Sequence, residues 1–467
     1  MPLDDLSHII GSLPRRATLF GAPEGYDAAV LGGLLRDCKA PAWLHVCRDD
    51  ARMGRFAATL QFFHPDLRVL TFPAWDCLPY DRVSPNGEIT SRRIDTLTEL
   101  APRMAPPHPN PSPSQREGAL FVLTTVNAVV QRVPPRGLFD GRVLAVGAGG
   151  KIGLDRLQSF FRNNGYTRTD TVREPGEFAI RGGIVDLYPS STAQPVRLDF
   201  FGDQVESLRT FDPLTQRSTG KLDRLELKPV SEVLLDEPAI TRFRTRYREL
   251  FGNVGGDDAL YESISAGRRY AGMEHWLPLY YERLETLFDY LPGAAVSFDW
   301  QSDAVRSHRL ESVADFYAAR QSIAASGSKS ASAPLYRPVK PDQLFIGDEE
   351  WGRLLDERLV VQLSPFESPR PNPPPLAGEQ ARQAPDTKGE AARDSGRVGA
   401  FFDAGARPAK NFVAERADPK INLFEAVRDY LDGERKSGKR VAVAAFSAGA
   451  ADRLATVLRE RGLTELR

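Results

Sequence analysis

Residues 16–47, RATLFGAPEGYDAAVLGGLLRDCKAPAWLHVC, carry the pattern that decides the fold. The run 16–23 has the apolar content of a buried strand, residues 25–37 have helical periodicity, and 42–47 is strand-like again. The alternation continues along the chain, with a helix predicted over 50–63, a strand over 67–73, a helix over 90–101 and a strand over 119–126. Strands that alternate with helices predict an α/β domain, a parallel sheet covered by helices.

Composition excludes several classes of function. The 467 residues include 61 basic and 62 acidic side chains, so no global field draws the chain onto nucleic acid or a membrane. The sequence has no run of about 18 apolar residues, and its acidic start lacks the basic residues of a signal peptide, which predicts a cytoplasmic protein. Three cysteines and six scattered histidines have no metal-ligand spacing, so no metal site is expected.

The residue pattern changes between about 170 and 230. The strings FAIRGGIVDLYP and VRLDFFGDQVESLRTF are rich in β-forming residues and show little helical periodicity. Gly202-Asp203 lies between two strand-like runs and suits a hairpin turn. These features predict a small, mostly antiparallel module inserted into the α/β domain.

Two proline-rich stretches, 105–118 and 368–379, share the string P-x-P-N-P-x-P. Proline removes backbone donors and favours extended, solvated chain, so neither stretch is expected to pack. The polar tract 366–409 is interpreted as a disordered linker. After it, 420–467 has a helix–strand–helix pattern, predicted to be the start of a further α/β domain within which the chain stops.

The first strand-to-helix turn lies where a phosphate-binding loop, G-x-x-x-x-G-K-[ST], would be expected. Gly21 matches the first glycine, and Gly25 follows within the turn, but Tyr26 takes the second glycine's place. Asp27 stands at the lysine position, where it would repel phosphates, and Ala28 replaces the hydroxyl that would hold magnesium. The turn is either a degenerate phosphate loop or an unrelated βα turn, and neither is expected to bind nucleotide.

No recognisable catalytic site is found in the sequence. Trp75, Tyr80, Arg92 and Arg93 could form an aromatic and basic set for single-stranded nucleic acid. The favoured alternative is that Trp75 and Tyr80 pack the loop while both arginines lie on a solvated helix start.

Three long blocks resemble the amino-terminal part of bacterial transcription-repair coupling factors, the Mfd family. They are FPAWDCLPYDRVSPNGEITSRRIDTL (72–97), GEFAIRGGIVDLYPSSTAQPVRLDFFGDQVESLRTFDPLTQRS (176–218) and AGMEHWLPLYYERLETLFDYLP (271–292). The second block is similar to a module that the coupling factor shares with the excision-nuclease subunit UvrB. The blocks occur in the family's order, whereas the proline-rich stretch 105–118 and much of 366–409 are not family elements.

The resemblance implies a UvrB-like parallel-sheet domain with a degenerate phosphate loop. Its expected parts are the first portion of that domain (1–143), the inserted β-rich module (144–232), the completion of the domain (233–335), a largely disordered connector (336–419) and the further α/β domain (420–467). It implies no cofactor in this chain, since ATP and magnesium belong to motor domains that the chain lacks.

The resemblance also implies that the β-rich module binds UvrA, the damage-sensing subunit of excision repair. Its motifs place the contact residues on Arg181, Arg197 and Phe201. Strand alternation puts Arg197, Asp199 and Phe201 on the face opposite Val196, Leu198 and Phe200. The alternative is a strand buried on both faces, with Phe201 in the core and Arg197 paired to an acid.

The expected function is a non-catalytic, UvrA-recruiting region. In the full-length family, other domains bind stalled RNA polymerase and double-stranded DNA and use ATP to release the polymerase. The enzymatic alternative is UvrB itself, an ATP-using, DNA-loading subunit, which the loop at 21–28 disfavours. A third interpretation is a decayed gene fragment.

Overall fold

The computed structural model describes residues 15–37, 40–101, 120–190, 192–252, 258–325, 336–367, 400–406, 410–418, 420–439, 441–443, 445 and 447–463. These residues form two compact units, which divide after Ala406.

The strands, in chain order, are β1 (Arg16–Phe20), β2 (Ala42–Cys47), β3 (Arg68–Phe72), β4 (Leu120–Thr125), β5 (Leu144–Gly147), β6 (Thr167–Arg168), β7 (Glu177–Arg181), β8 (Ile184–Leu187), β9 (Val196–Phe201), β10 (Gln204–Phe211), β11 (Ser218–Leu222), β12 (Arg224–Leu227), β13 (Ala295–Phe298), β14 (Val360–Leu363) and β15 (Ala400–Asp403). The α-helices are α1 (Tyr26–Asp37), α2 (Asp50–Phe63), α3 (Gly87–Leu100), α4 (Val126–Val129), α5 (Leu154–Asn163), α6 (Glu237–Phe251), α7 (Ala259–Ser265), α8 (Leu287–Tyr290), α9 (Ser302–Ala325), α10 (Pro341–Leu344), α11 (Asp348–Asp356), α12 (Val413–Ala417), α13 (Leu423–Lys436) and α14 (Ala448–Glu460). Arg136–Leu138 and Met273–Leu279 are 3₁₀ segments.

The first unit is built on a seven-stranded sheet of order β15-β1-β14-β13-β2-β4-β3, in which every pairing is parallel. Both faces of its central strands are buried. On β2, Leu44 and Val46 enter one apolar cluster while Trp43 and Cys47 enter the other. Strands of a parallel sheet that is buried on both faces have nearly continuous apolar sequences. The observed parallel sheet with its covering helices confirms the predicted α/β class.

The predicted connector at 336–419 is wrong in part, because residues within it complete the sheet. Strand β14 lies between β1 and β13, and β15 pairs with β1 from Ala17↔Ala400 to Phe20↔Asp403. Strands β14 and β15 have four residues each, which is too short for periodicity to identify them. Both depend on pairing with strands that are distant in sequence. The proline-rich stretches and most of the predicted linker lie outside the described residues.

The inserted module is a six-stranded sheet of order β11-β10-β9-β8-β7-β6, largely antiparallel. Strands β5 and β12 pair antiparallel beside it, from Leu144↔Leu227 to Gly147↔Arg224. The predicted hairpin is confirmed: Phe201 pairs with Gln204, and Gly202 has a φ of +59°, the left-handed region that glycine tolerates.

Buried ion pairs join the module to helix α3. Arg93 is fully buried, its Nε lies 2.5 Å from Glu232 Oε1, and its guanidinium lies 4.1 Å from the Phe72 ring centroid. Trp75 Nε1 donates to the same Glu232 oxygen over 3.0 Å. The expectation that Arg93 lies on a solvated helix start is therefore wrong, since Arg93 faces the core while its neighbour Arg92 is exposed and pairs with Glu88.

The second unit contains helices α12, α13 and α14, with a small core of Leu431, Leu458 and Leu463. Helices α13 and α14 correspond to the two predicted helices. The strand expected between them is not formed in residues 441–443 and 445. A strand needs a hydrogen-bonded neighbour, and the described part of this unit contains none to pair with it.

Candidate binding face and the phosphate-loop position

The outer face of the six-stranded sheet carries the three residues assigned to partner binding. Along β9, Val196 and Leu198 are fully buried against the module core, whereas Phe201 at the strand end is 76% exposed. Arg197 and Asp199 lie on the same outer face as Phe201 and are half-buried. Strand alternation thus divides β9 as its sequence predicts.

One carboxylate accepts hydrogen bonds from both arginines of this face. Asp186 on β8 is fully buried, and its Oδ2 lies 2.6 Å from Arg181 Nη2. Its Oδ1 accepts from Arg197 Nε over 2.6 Å, and its Oδ2 accepts from Arg197 Nη2 over 2.9 Å. The register explains the convergence, because Asp186 pairs directly with Arg197 and Arg181 closes the neighbouring hairpin opposite Ile184.

The two arginines differ in exposure. The Arg197 side chain is 19% exposed and lies over the Phe211 ring, 4.9 Å from its centroid, and the hydrogen bonds that it donates to Asp186 raise the pKa of Arg197. The Arg181 side chain is 56% exposed. The alternative of an arginine paired to an acid therefore holds for Arg197, while the buried position considered for Phe201 does not.

Two hairpin ends bring the exposed residues together. Phe200 N donates to Gly183 O over 2.8 Å, and a Cβ on Gly183 would stand 2.9 Å from Phe200 O, so only glycine fits there. Ile184, 40% exposed, pairs with Asp199 and so shares the outer face with Phe201. An apolar edge thus borders the arginines.

Asp199, which strand alternation placed on this face, is a second carboxylate there, and its partners were not predicted from the sequence. Asp199 accepts hydrogen bonds from Ser207 Oγ over 2.5 Å and from Arg209 Nη2. Burial opposes ionisation of Asp199, but these hydrogen bonds, together with the charges of Arg209 and Arg197, lower its pKa overall. The face therefore carries two arginine–carboxylate groups side by side.

The loop at 21–28 connects β1 to α1 at the carboxyl edge of the parallel sheet. Gly21 has a φ of +64°, and a Cβ there would stand 2.7 Å from Asp403 Oδ1. The Tyr26 hydroxyl donates to Ala404 O over 2.8 Å. The segments that follow β14 and β15 thus pack onto this loop.

Most backbone donors of the loop are already engaged. Gly21 N donates to Phe366 O over 2.6 Å and Ala22 N to Ser364 O over 3.0 Å. Gly25 N and Ala28 N both donate to Asp27 Oδ1, over 3.0 Å and 2.7 Å. Pro23 has no N–H. A phosphate loop holds its ligand with such N–H groups, and here protein oxygens take them.

Asp27 lies in a buried network of charges instead of facing a ligand. It forms an ion pair with Arg52, whose Nε lies 3.3 Å from Asp299 Oδ2, and all three side chains are almost fully buried. Burial raises the pKa of Asp27 to about 6, and Arg52 opposes the rise. An arginine therefore neutralises the carboxylate that occupies the lysine position.

Other candidate chemistry is limited in the described part of the chain. Trp75 and Tyr80 are buried, as the packing interpretation expects. Among the described ranges, no three histidine, cysteine, aspartate or glutamate side chains group as a metal site would require. No described helix combines the length and apolar content needed to cross a membrane.

Comparison with known families locates a match on the inserted module. Residues 144–232 match the family described as the UvrB interaction domain. This range contains Arg181, Asp186, Arg197 and Phe201, so the arginine face lies wholly within the matched domain.

Comparison with curated proteins gives relatives of greater length. The chain is 32% identical to a transcription-repair-coupling factor of Haemophilus influenzae over 62% of this chain and 23% of that protein. It is 32% identical to the Escherichia coli protein of the same name, over 62% of this chain and 24% of that protein. The Bacillus subtilis protein is 27% identical over 53% of this chain and 21% of its own length. The chain thus spans about a quarter of each of these relatives.

Proposed function

This chain is a relative of the transcription-repair coupling factors that carries a UvrB interaction domain, and from that premise we propose that it recruits UvrA without catalysis. The observation that carries the proposal is the outer face of the module, where Asp186 holds Arg181 and Arg197 beside the exposed ring of Phe201. Exposed aromatic and arginine side chains dominate the binding energy of many protein interfaces.

The charge of the face supports a protein partner. Arg181 and Arg197 share one carboxylate, so this group keeps one net positive charge at the surface. Arginine forms bidentate hydrogen bonds with carboxylates, and Phe201 offers apolar area that binding would remove from water. We propose that UvrA contacts all three side chains.

The role of the loop at 21–28 follows from its donors. With four N–H groups bonded to protein oxygens and Asp27 paired to Arg52, the loop offers no cradle for a β- or γ-phosphate. We propose that this domain binds no nucleotide and supports the module. This geometry disfavours the alternative of an ATP-using, UvrB-like subunit.

The longer relatives suggest the wider setting. In a full-length coupling factor, we propose that this region brings UvrA to RNA polymerase stalled at DNA lesions. Binding of polymerase and double-stranded DNA, and the use of ATP and magnesium, would then belong to other domains.

Calorimetric titration of purified UvrA into the chain tests the proposal. The wild-type chain is expected to bind, and a triple variant, Arg181→Ala, Arg197→Ala and Phe201→Ala, is expected to lose measurable binding. A matched control changes Arg224 and Glu226 on β12 to alanine, which removes an exposed ion pair from the same module. Absence of binding by the folded wild-type chain would sink the proposal, as would equal binding by the triple variant.

A further inference from the structure

Asp186 is the least exposed charged group of the outer face, yet it touches both arginines assigned to partner binding. Its two oxygens accept one hydrogen bond from Arg181 and two from Arg197, at 2.6 Å, 2.6 Å and 2.9 Å. With no exposed surface, Asp186 is not available to a partner. Any effect that it has on binding must act through the arginines.

An arginine guanidinium has five N–H donors in a fixed plane. Arg197 directs Nε and Nη2 to Asp186, and its Nη1 lies 3.5 Å from Gln216 O. Arg181 directs only Nη2 to Asp186, and its side chain is 56% exposed. The carboxylate thus holds Arg197 through two hydrogen bonds and anchors Arg181 through one, while the Arg181 side chain stays more than half exposed.

Holding these side chains changes the cost of binding. Long, flexible side chains lose rotamer freedom when a partner immobilises them, and a group already held in position loses less. Resting on the proposed function, we propose that Asp186 is a positioning residue for UvrA binding, which orders Arg181 and Arg197 before the partner arrives.

A purely electrostatic role of the face and a positioning role of Asp186 predict opposite changes in UvrA affinity for the substitution Asp186→Asn. Asp186→Asn keeps the size of the side chain but removes its negative charge, so the face becomes more positive by one unit. If the face acts only as a positive surface toward acidic groups, this variant binds UvrA more tightly. If Asp186 positions the arginines, the variant binds about tenfold more weakly, because the amide offers one acceptor oxygen in place of two.

The experiment is calorimetric titration of UvrA into the full chain carrying Asp186→Asn. Glu226→Gln makes the same charge change at an exposed carboxylate that pairs with Arg224 on β12, and it is expected to leave the affinity unchanged. Thermal unfolding of each variant establishes that the module remains folded.

A second background separates positioning from a general structural effect. In a chain that already carries Arg197→Ala, adding Asp186→Asn is expected to weaken binding by no more than about twofold, because most of the bonds that it disrupts are gone. Equal losses in both backgrounds would overturn the positioning role, and so would unchanged or tighter binding by the folded single variant. Failure of the wild-type chain to bind is a different result, which removes the proposed function itself.

Discussion

Asp27 and Asp186 are two of the buried carboxylates that pair with arginines, and their surroundings differ. Asp27 pairs with Arg52, whose side chain is 1% exposed, and the neighbouring N–H groups also turn toward Asp27. Asp186 pairs with Arg197 and with Arg181, whose side chain is 56% exposed. The first arrangement seals a position where a ligand would be expected, and the second presents cations to solvent. Burial of the arginine, rather than the ion pair itself, distinguishes a closed site from a binding face.

The two regions should therefore respond differently to loss of an arginine. A buried charge that loses its partner is costly, because water cannot replace the missing interaction. An exposed arginine contributes little to folding, since water solvates it in either state.

The largest effect is expected for Arg52→Met in the closed site. The substitution leaves Asp27 buried without its cation and leaves Asp299 paired with Arg48 alone, which should lower the free energy of unfolding by about 3–5 kcal/mol. Urea denaturation at neutral pH measures this change. Adding Asp27→Asn should restore part of the loss, because it removes the buried charge that Arg52 no longer pairs with.

Arg55→Met is the matched control for that experiment. Arg55 lies on the same helix and pairs with Glu24, but its side chain is 54% exposed. Its loss should cost less than about 1 kcal/mol. Similar losses for the Arg52 and Arg55 variants would contradict the view that burial decides the effect.

Acid should destabilise the folded chain through His45, which stacks on Phe56 and is fully buried. Burial, with the nearby charge of Arg52, lowers the pKa of His45 to about 3 against an ordinary value of 6.5, despite its hydrogen bond with Ser297. Between these values the unfolded chain binds more protons than the folded one. The free energy of unfolding should therefore fall as the pH drops below about 6.5, by up to about 1.4 kcal/mol per pH unit.

Denaturation at a series of pH values, with His45→Gln beside the wild type, measures this contribution. The variant should show a shallower fall between about pH 6 and pH 4. His308→Gln, at an exposed position on α9, should follow the wild-type curve. Parallel curves for the wild type and His45→Gln would rule out this source of acid sensitivity.

Arg181→Ala should have a small effect on folding. Arg181 is half exposed, and Asp186 keeps both hydrogen bonds to Arg197 when it is removed. The free energy of unfolding should change by less than about 1 kcal/mol in the same urea experiment. A loss as large as that of Arg52→Met would show that Arg181 stabilises the fold as strongly as the buried arginine does, and would contradict the contrast between the two regions.

The smallest effect is expected from adding ATP with magnesium to the wild-type chain. A ligand present at a hundred times its Kd would add about 2.7 kcal/mol of stability and raise the melting temperature. Because Asp27, Ser364 and Phe366 accept from four of the loop N–H groups, no shift is expected with millimolar ATP. A reproducible upward shift, absent with an equal concentration of sodium sulfate, would reopen the nucleotide-binding interpretation.

Local pattern predicted much of the fold and left specific gaps. The strands of the parallel sheet up to β4 follow from apolar runs, whereas β14 is four residues long and depends on β1 and β13 for its place. Arg93 was misassigned although a signal existed. Arg93, Leu97 and Leu100 follow the i, i+4, i+7 spacing of one helix face, and all three are buried.

In the candidate site, too, local sequence pattern predicts only part of the arrangement. Alternation along β8 places Asp186 opposite Val185 and Leu187, so its face could be predicted from sequence. Its burial could not, because two arginines from β7 and β9 cover it, and their approach depends on the register of three strands. Arg181, Arg197 and Phe201 came from resemblance, and their contact with UvrA stays a prediction.

The pairing of β5 with β12 has a consequence for how this architecture could spread. The module begins at Leu144 in β5, and its last strand, β12, ends at Leu227, which pairs with Leu144 across adjacent strands. Adjacent strands lie about 4.8 Å apart, so the insertion adds almost no distance between its two junctions. Such a cassette can be spliced into a surface loop of an unrelated host without stretching it. Its recognition chemistry is therefore portable, and a new host would need to match its boundary contacts, among them those of Lys228 and Glu232 with α3 and with Trp75.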